Sequence, residues 1–190
     1  IEQLKLSDST STKADVKQAG DVIHALLYSG SNTQLVSAQY SPPASTYATW
    51  EARPDPSGIA LAGSETATID IDSTGRMWLA SQRDVTTPVS GRGIVVYYSD
   101  PPYSTWSGPI TLETGTSYQD DISVVVALPG KIGVMWGNES EAVKRFGFRT
   151  HVDGTEPDTW TPDEVPASQS ADDSLPYPYI QPDDHFNLAV

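Results

Sequence analysis

The stretch TIDIDSTGRMWLASQ, residues 68–82, reads as a strand, a short glycine turn and a second strand. Two other stretches repeat it: KADVKQAGDVIHALLYSG from Lys13 and SVVVALPGKIGVMWGN from Ser123. Their turn glycines, Gly20, Gly75 and Gly130, follow one another at intervals of 55 residues. Val16, Ile71 and Val126 stand four residues before them, and Val22, Met77 and Ile132 two residues after. Aligned on these glycines, His24 matches Leu79 and Val134, a buried or half-buried strand position. Arg76 matches Asp21 and Lys131, which reads as a solvated turn.

A second marker keeps the same phase. Thr49-Trp50, Thr105-Trp106 and Thr159-Trp160 recur with tryptophan spacings of 56 and 54. A third strand precedes each pair, at 34–41, 93–100 and 144–151, and a short fourth strand follows, clearest in WSGPITLE, 106–113. Four strands in each unit of about 55 residues predict an all-β β-propeller made of four-stranded antiparallel blades.

The expected division is the end of a preceding blade (1–10), blades over 11–63, 64–116 and 117–182, and the inner strand of a next blade (183–190). EQLKLSD (2–8) resembles the outer-strand segment GPITLE, and DDHFNLAV (183–190) matches DDISVVVA (120–127). About three full blades with a partial blade at each end fall short of the usual four to eight. The sequence therefore predicts an incomplete ring, with the remaining blades in the same polypeptide or in another chain.

Composition narrows the partners. The chain has 25 Asp and Glu against 11 Lys and Arg, a net charge of −14. That field disfavours nucleic acid and anionic lipid. No run approaches the ~20 apolar residues that span a bilayer, so membrane insertion is not expected. The absence of cysteine excludes disulfides, thiolate metal sites and a cysteine nucleophile.

SDPPYSTW, from Ser99 to Trp106, resembles the Asp-box (BNR repeat) of sialidase-like propellers, a Ser-x-Asp-x-Gly-x-Thr-Trp hairpin. Ser99, Thr105 and Trp106 match it, whereas Pro101 and Tyr103 replace its Asp and Gly. THVDGTEPDTW is similar through Thr150, Asp153, Gly154 and Thr159-Trp160 with extra residues, and the first unit keeps Ser41 and Thr49-Trp50. The resemblance implies a sialidase-like propeller in which the Asp-box is structural and distant from any active site.

Sialidase-type hydrolysis needs an arginine cluster, paired carboxylates and often a tyrosine nucleophile. Of the six arginines only Arg83, late in a second strand, is expected to face the ring mouth, so no catalytic residue is assigned. Asp120-Asp121 and Asp183-Asp184 stand immediately before inner strands, and the second pair runs into His185 and Asn187. At a channel rim such groups suit sugar hydroxyls or a divalent cation. Asp121 and Asp184 are the metal candidates, and calcium is the one cofactor they suit. The same aspartates also suit hydrogen bonding to loop amides at strand entry. The insertion SQSADDSLPYPYIQP (168–182) places Tyr177 and Tyr179 between prolines, as a binding lip or an edge cover. His151 reads as surface, and the five tryptophans read as packing between blades.

The sequence thus predicts an extracellular or cell-surface, bacterial binding module for a glycan or protein ligand, noncatalytic in this segment. The alternatives are part of a sialidase-like glycoside hydrolase or lyase, and a structural repeat of a larger surface assembly.

Overall fold

The computed structural model describes Leu6 and residues 12–29, 32–61, 67–85, 91–116, 123–138 and 145–162. Among the described residues twelve strands form three antiparallel sheets, and there is no helix. Sheet one contains β1 (Lys13–Ala19), β2 (Val22–Ser29), β3 (Asn32–Ser41), β4 (Thr46–Thr49) and β5 (Ser57–Ile59). Sheet two contains β6 (Ala67–Ile71), β7 (Met77–Val85), β8 (Gly91–Ser99) and β9 (Ser107–Thr116). Sheet three contains β10 (Ser123–Leu128), β11 (Lys131–Asn138) and β12 (Arg145–Val152). Each is a meander in which successive strands pair, save that β5 pairs with β3 rather than with β4. In sheet one the fourth place is shared, because β4 and β5 pair with opposite ends of β3.

The hairpins at the glycines are present, but the glycines do not hold equivalent places. Gly20 opens a two-residue turn closed by the pair Ala19–Val22, with φ of 62°. Gly130 ends one closed by Leu128–Lys131, after Pro129, with φ of 72°. Positive φ at the first central residue suits a II′ hairpin, whereas Pro followed by a positive-φ Gly is the type II arrangement. In sheet two Asp72 N donates to Arg76 O at 2.9 Å, leaving a three-residue turn ending at Gly75. Counted from these closing pairs, His24 takes the place of Trp78 and Gly133. The glycine alignment, which puts His24 with Leu79 and Val134, is therefore one residue out of register, enough to reverse a strand's faces.

Sheet two lies between the other two, and the two-residue period of its strands divides its side chains. Ile69, Met77, Leu79, Val95 and Tyr97 join Leu26, Leu35 and Ile59 of the first sheet, and Leu61 just after it, in one apolar cluster. Trp78, Ala80, Ile94, Val96 and Leu112 join Val125, Ile132, Val134 and Trp136 of the third in another. Each sheet thus has a leading face, turned to the preceding sheet, and a trailing face, turned to the next.

The first strands lie side by side and share a repeated hydrogen bond. Asp15 and Thr68 each stand four residues before the closing position of their turn, Ala19 or Asp72. Asp15 Oδ2 accepts from Ile69 N at 2.7 Å, and Thr68 Oγ1 accepts from Val125 N at 3.0 Å. Two residues further along, Asp70 Oδ2 accepts from Ala127 N at 2.8 Å and pairs with Lys17 Nζ at 3.3 Å. These side chains supply acceptors to backbone donors that no ladder strand reaches.

Candidate functional site

A meander puts alternate connections at opposite ends of each sheet. The glycine turns and the hairpins that follow β3, β8 and β12 share one end. The ends of β2, β7 and β11 and the starts of β3, β8 and β12 lie at the other.

The turn end is filled by interlocked buried side chains. Between sheets one and two, His24 meets Trp50 and Tyr103 edge-on, with ring centroids 5.3 and 5.0 Å away. His24 Nδ1 lies 2.7 Å from Ser37 Oγ, which also accepts from Arg53 Nη2. Ser37 Oγ thus joins the imidazole to the guanidinium. Burial, reinforced by the Arg53 charge, lowers the His24 pKa from 6.5 to about 4. Arg53, itself buried, donates to the carbonyls of Leu35 (2.7 Å), Asp55 (2.9 Å) and Pro102 (3.1 Å). Histidine, serine and arginine are the residue types of acyl-transfer sites, but Ser37 is 4% exposed and His24 2%. Substrate has no access to this group, which ties the two sheets together.

Between sheets two and three, His151 packs on Trp78 and Trp160 at 4.7 and 5.3 Å, and its Nδ1 meets Thr159 O at 2.9 Å. The surface position expected for His151 is corrected: the residue is 1% exposed. It belongs to β12, whose hairpin closes over the indoles instead of projecting into solvent. Arg76 is likewise engaged, pairing with Asp100 at 2.8 Å and lying 4.7 Å over the Tyr98 ring. Asp72 organises the neighbouring turn, with Oδ1 accepting from Thr74 N, Thr74 Oγ1 and Arg76 N, and Oδ2 from Trp78 Nε1.

At the opposite end the described chemistry centres on Arg83. It is half-buried near the end of β7, on the face turned to sheet one. Its Nη1 donates to the Tyr97 hydroxyl, and its Nε to Asp84 O at 3.1 Å. The Tyr97 hydroxyl donates to Ala60 O, just past β5, at 3.3 Å, and Asp84 Oδ1 pairs with Arg92 Nε at 3.4 Å. Tyr97, 5% exposed, fixes one edge of the guanidinium. A planar, pre-oriented guanidinium suits recognition of carboxylate or hydroxyl groups.

Of the other predicted site residues, Asp120, Asp121, Tyr177, Tyr179, Asp183, Asp184, His185 and Asn187 lie outside the described residues. Among the described residues no group of three or more His, Asp or Glu is placed to hold a metal ion. Sequence reading overlooked Tyr97 and the first-strand acceptors Asp15, Thr68 and Asp70. For Asp15 the usable signal was a charged residue in the first half of a hairpin; for Tyr97 there was none, since Leu79 is its cross-strand partner rather than Arg83.

No protein-family model and no curated protein matches this sequence.

Proposed function

We propose that the chain forms part of a β-propeller that binds a glycan or protein ligand at the end opposite its glycine turns, on an extracellular or cell-surface protein. The observation carrying this reading is the asymmetry of the two ends. Buried His24, Trp78 and His151 close one, whereas Arg83 stands half-buried at the other with its guanidinium tied to Tyr97. The propeller is supported by face-to-face sheets with adjoining first strands. Similarity to the Asp-box is supported by Tyr103, which replaces the motif's glycine and has φ of 64°. Calcium, if it serves this end, falls to Asp121 and Asp184.

The test is a glycan array followed by calorimetry on any hit. Arg83→Ala is expected to weaken binding at least ~10-fold, a loss of about 1.4 kcal/mol, with unchanged melting temperature. Binding unaffected by Arg83→Ala, Asp121→Asn and Asp184→Asn together would overturn the reading.

The pairing of Arg83 with a tyrosine hydroxyl favours a second reading, a sialidase-like glycoside hydrolase with other groups supplied by further blades. Turnover of a fluorogenic sialoside, lost in Arg83→Ala, would favour it over simple binding.

A further inference from the structure

We infer that the leading face of sheet one is a docking surface for a further four-stranded sheet of the same repeat, whose first strand carries a carboxylate or hydroxyl four residues before its turn-closing position. The identity of this occupant rests on the propeller reading above, and its test reads sheet docking rather than ligand binding.

The surface continues two interfaces already present. Counted from the turn-closing pairs, Val16 of sheet one occupies the place of Ile69 and Val125. Ile69 is 0% exposed and Val125 2%, each covered by the preceding sheet, whereas Val16 is 50% exposed. Cross-strand pairing puts Ile23, Ala25, Val36, Tyr40 and Tyr47 on the same face. Ala25, Leu27 and Ala38 of that face are already buried, but Tyr40 and Tyr47, rings 5.2 Å apart, remain 36% and 37% exposed at the hairpin end. The corresponding ends of sheets two and three insert buried Tyr103 and His151 at their sheet boundaries.

The hydrogen bonds specify which sheet fits. Ile69 N and Val125 N each receive an acceptor from the preceding first strand, Asp15 or Thr68. Val16 N, at the same position, turns to its own neighbour, Asp15 Oδ1, at 2.9 Å. A second copy docking through its sheet three would present Val124 and Val126 at the places of Thr68 and Asp70. Neither valine can accept a hydrogen bond, so the occupant is a different repeat, one resembling sheet two on its trailing face.

The experiment replaces residues 1–11 of the chain with a second copy of residues 64–122, placing Thr68 and Asp70 of the copy beside β1. Amide exchange at Val16 is expected to slow at least ~10-fold, with Tyr40 and Tyr47 protected from surface labelling. Thr68→Val in the copy alone should restore fast exchange at Val16 while the copy's other amides stay protected. Val16→Asp should lower the melting temperature of the extended chain and leave that of the original chain unchanged. A copy that folds without protecting Val16, or that fails to fold against sheet one, would overturn the inference. So would a dimer of the original chain, seen by sedimentation, in which Tyr40 and Tyr47 are protected.

Discussion

The Asp15 carboxylate accepts the Ile69 backbone N–H at 2.7 Å across the boundary between sheets one and two. Thr68 makes the same bond to Val125 N across the next boundary. Removing either acceptor strands a part-buried donor while leaving each sheet's own ladder intact. Asp15→Ala and Thr68→Val are each expected to cost ~1–2 kcal/mol in urea unfolding. Because the two bonds lie in different interfaces, the losses should add in the double variant. A Thr68→Val cost near zero would show that the boundary is held by apolar packing alone.

His24 gives the fold a defined sensitivity to acid. Its pKa is about 4 in the folded chain against 6.5 for an ordinary histidine. Above pH 6.5 both states are neutral and the stabilisation is whole. As pH falls from 6.5 towards 4 the unfolded chain takes up a proton that the folded chain refuses, so stability declines. The full loss is ~3 kcal/mol, at about 1.4 kcal/mol per pH unit. His24→Asn keeps an acceptor near Ser37 Oγ and removes the titration. Its stability between pH 4 and 6.5 should be flatter than that of the original chain by that amount, and parallel curves would refute the assignment.

The hairpins were legible because alternation and glycine act locally: β1–β2, β6–β7 and β10–β11 all form around Gly20, Gly75 and Gly130. The phase of the first against the others was not legible. A glycine at either end of a turn satisfies the same pattern, and the choice between ends decides whether His24 matches Trp78 or Leu79. The burial of His151 was hidden for a different reason. It depends on Trp78, 73 residues earlier in the chain and in another sheet, and no local pattern reports that contact. Of the candidate site, Arg83 could be placed from its position late in a second strand, but its partner Tyr97 stands across from Leu79, four residues away, and only the reach of the two long side chains joins them.

Asp72 carries the turn of sheet two as an anion. Burial raises its pKa, but hydrogen bonds from the Thr74 and Trp78 side chains and from the Arg76 and Thr74 amides outweigh that. The net shift is below the ordinary 3.8. A carboxylate with a lowered folded pKa stabilises above its unfolded pKa, and that contribution is lost as pH falls through the folded value. Asp72→Asn either turns an amide donor towards the Trp78 indole N–H or surrenders the bonds made by Oδ1, and should cost ~2 kcal/mol at neutral pH. The gap between the two proteins should narrow below pH 3.8, and a constant gap would mean that Asp72 is not acting through its charge.

Gly147 and Trp136 face each other across β11 and β12. A Cβ on Gly147 would overlap Cε2, Cζ2 and Nε1 of the Trp136 indole, whereas one on Gly137 meets nothing within 4 Å. Gly147→Ala must therefore push a fully buried tryptophan out of the cluster it shares with Val125, Ile132 and Val134. The expected cost is ~3 kcal/mol, and Gly137→Ala should stay within about 0.5 kcal/mol. Trp136→Leu alone leaves a cavity and should cost ~2–4 kcal/mol. It also clears the space that an alanine at 147 needs, so the double variant should lose markedly less than the two single losses combined. Additive losses would show that residue 147 acts through its backbone and that the indole is free to move aside.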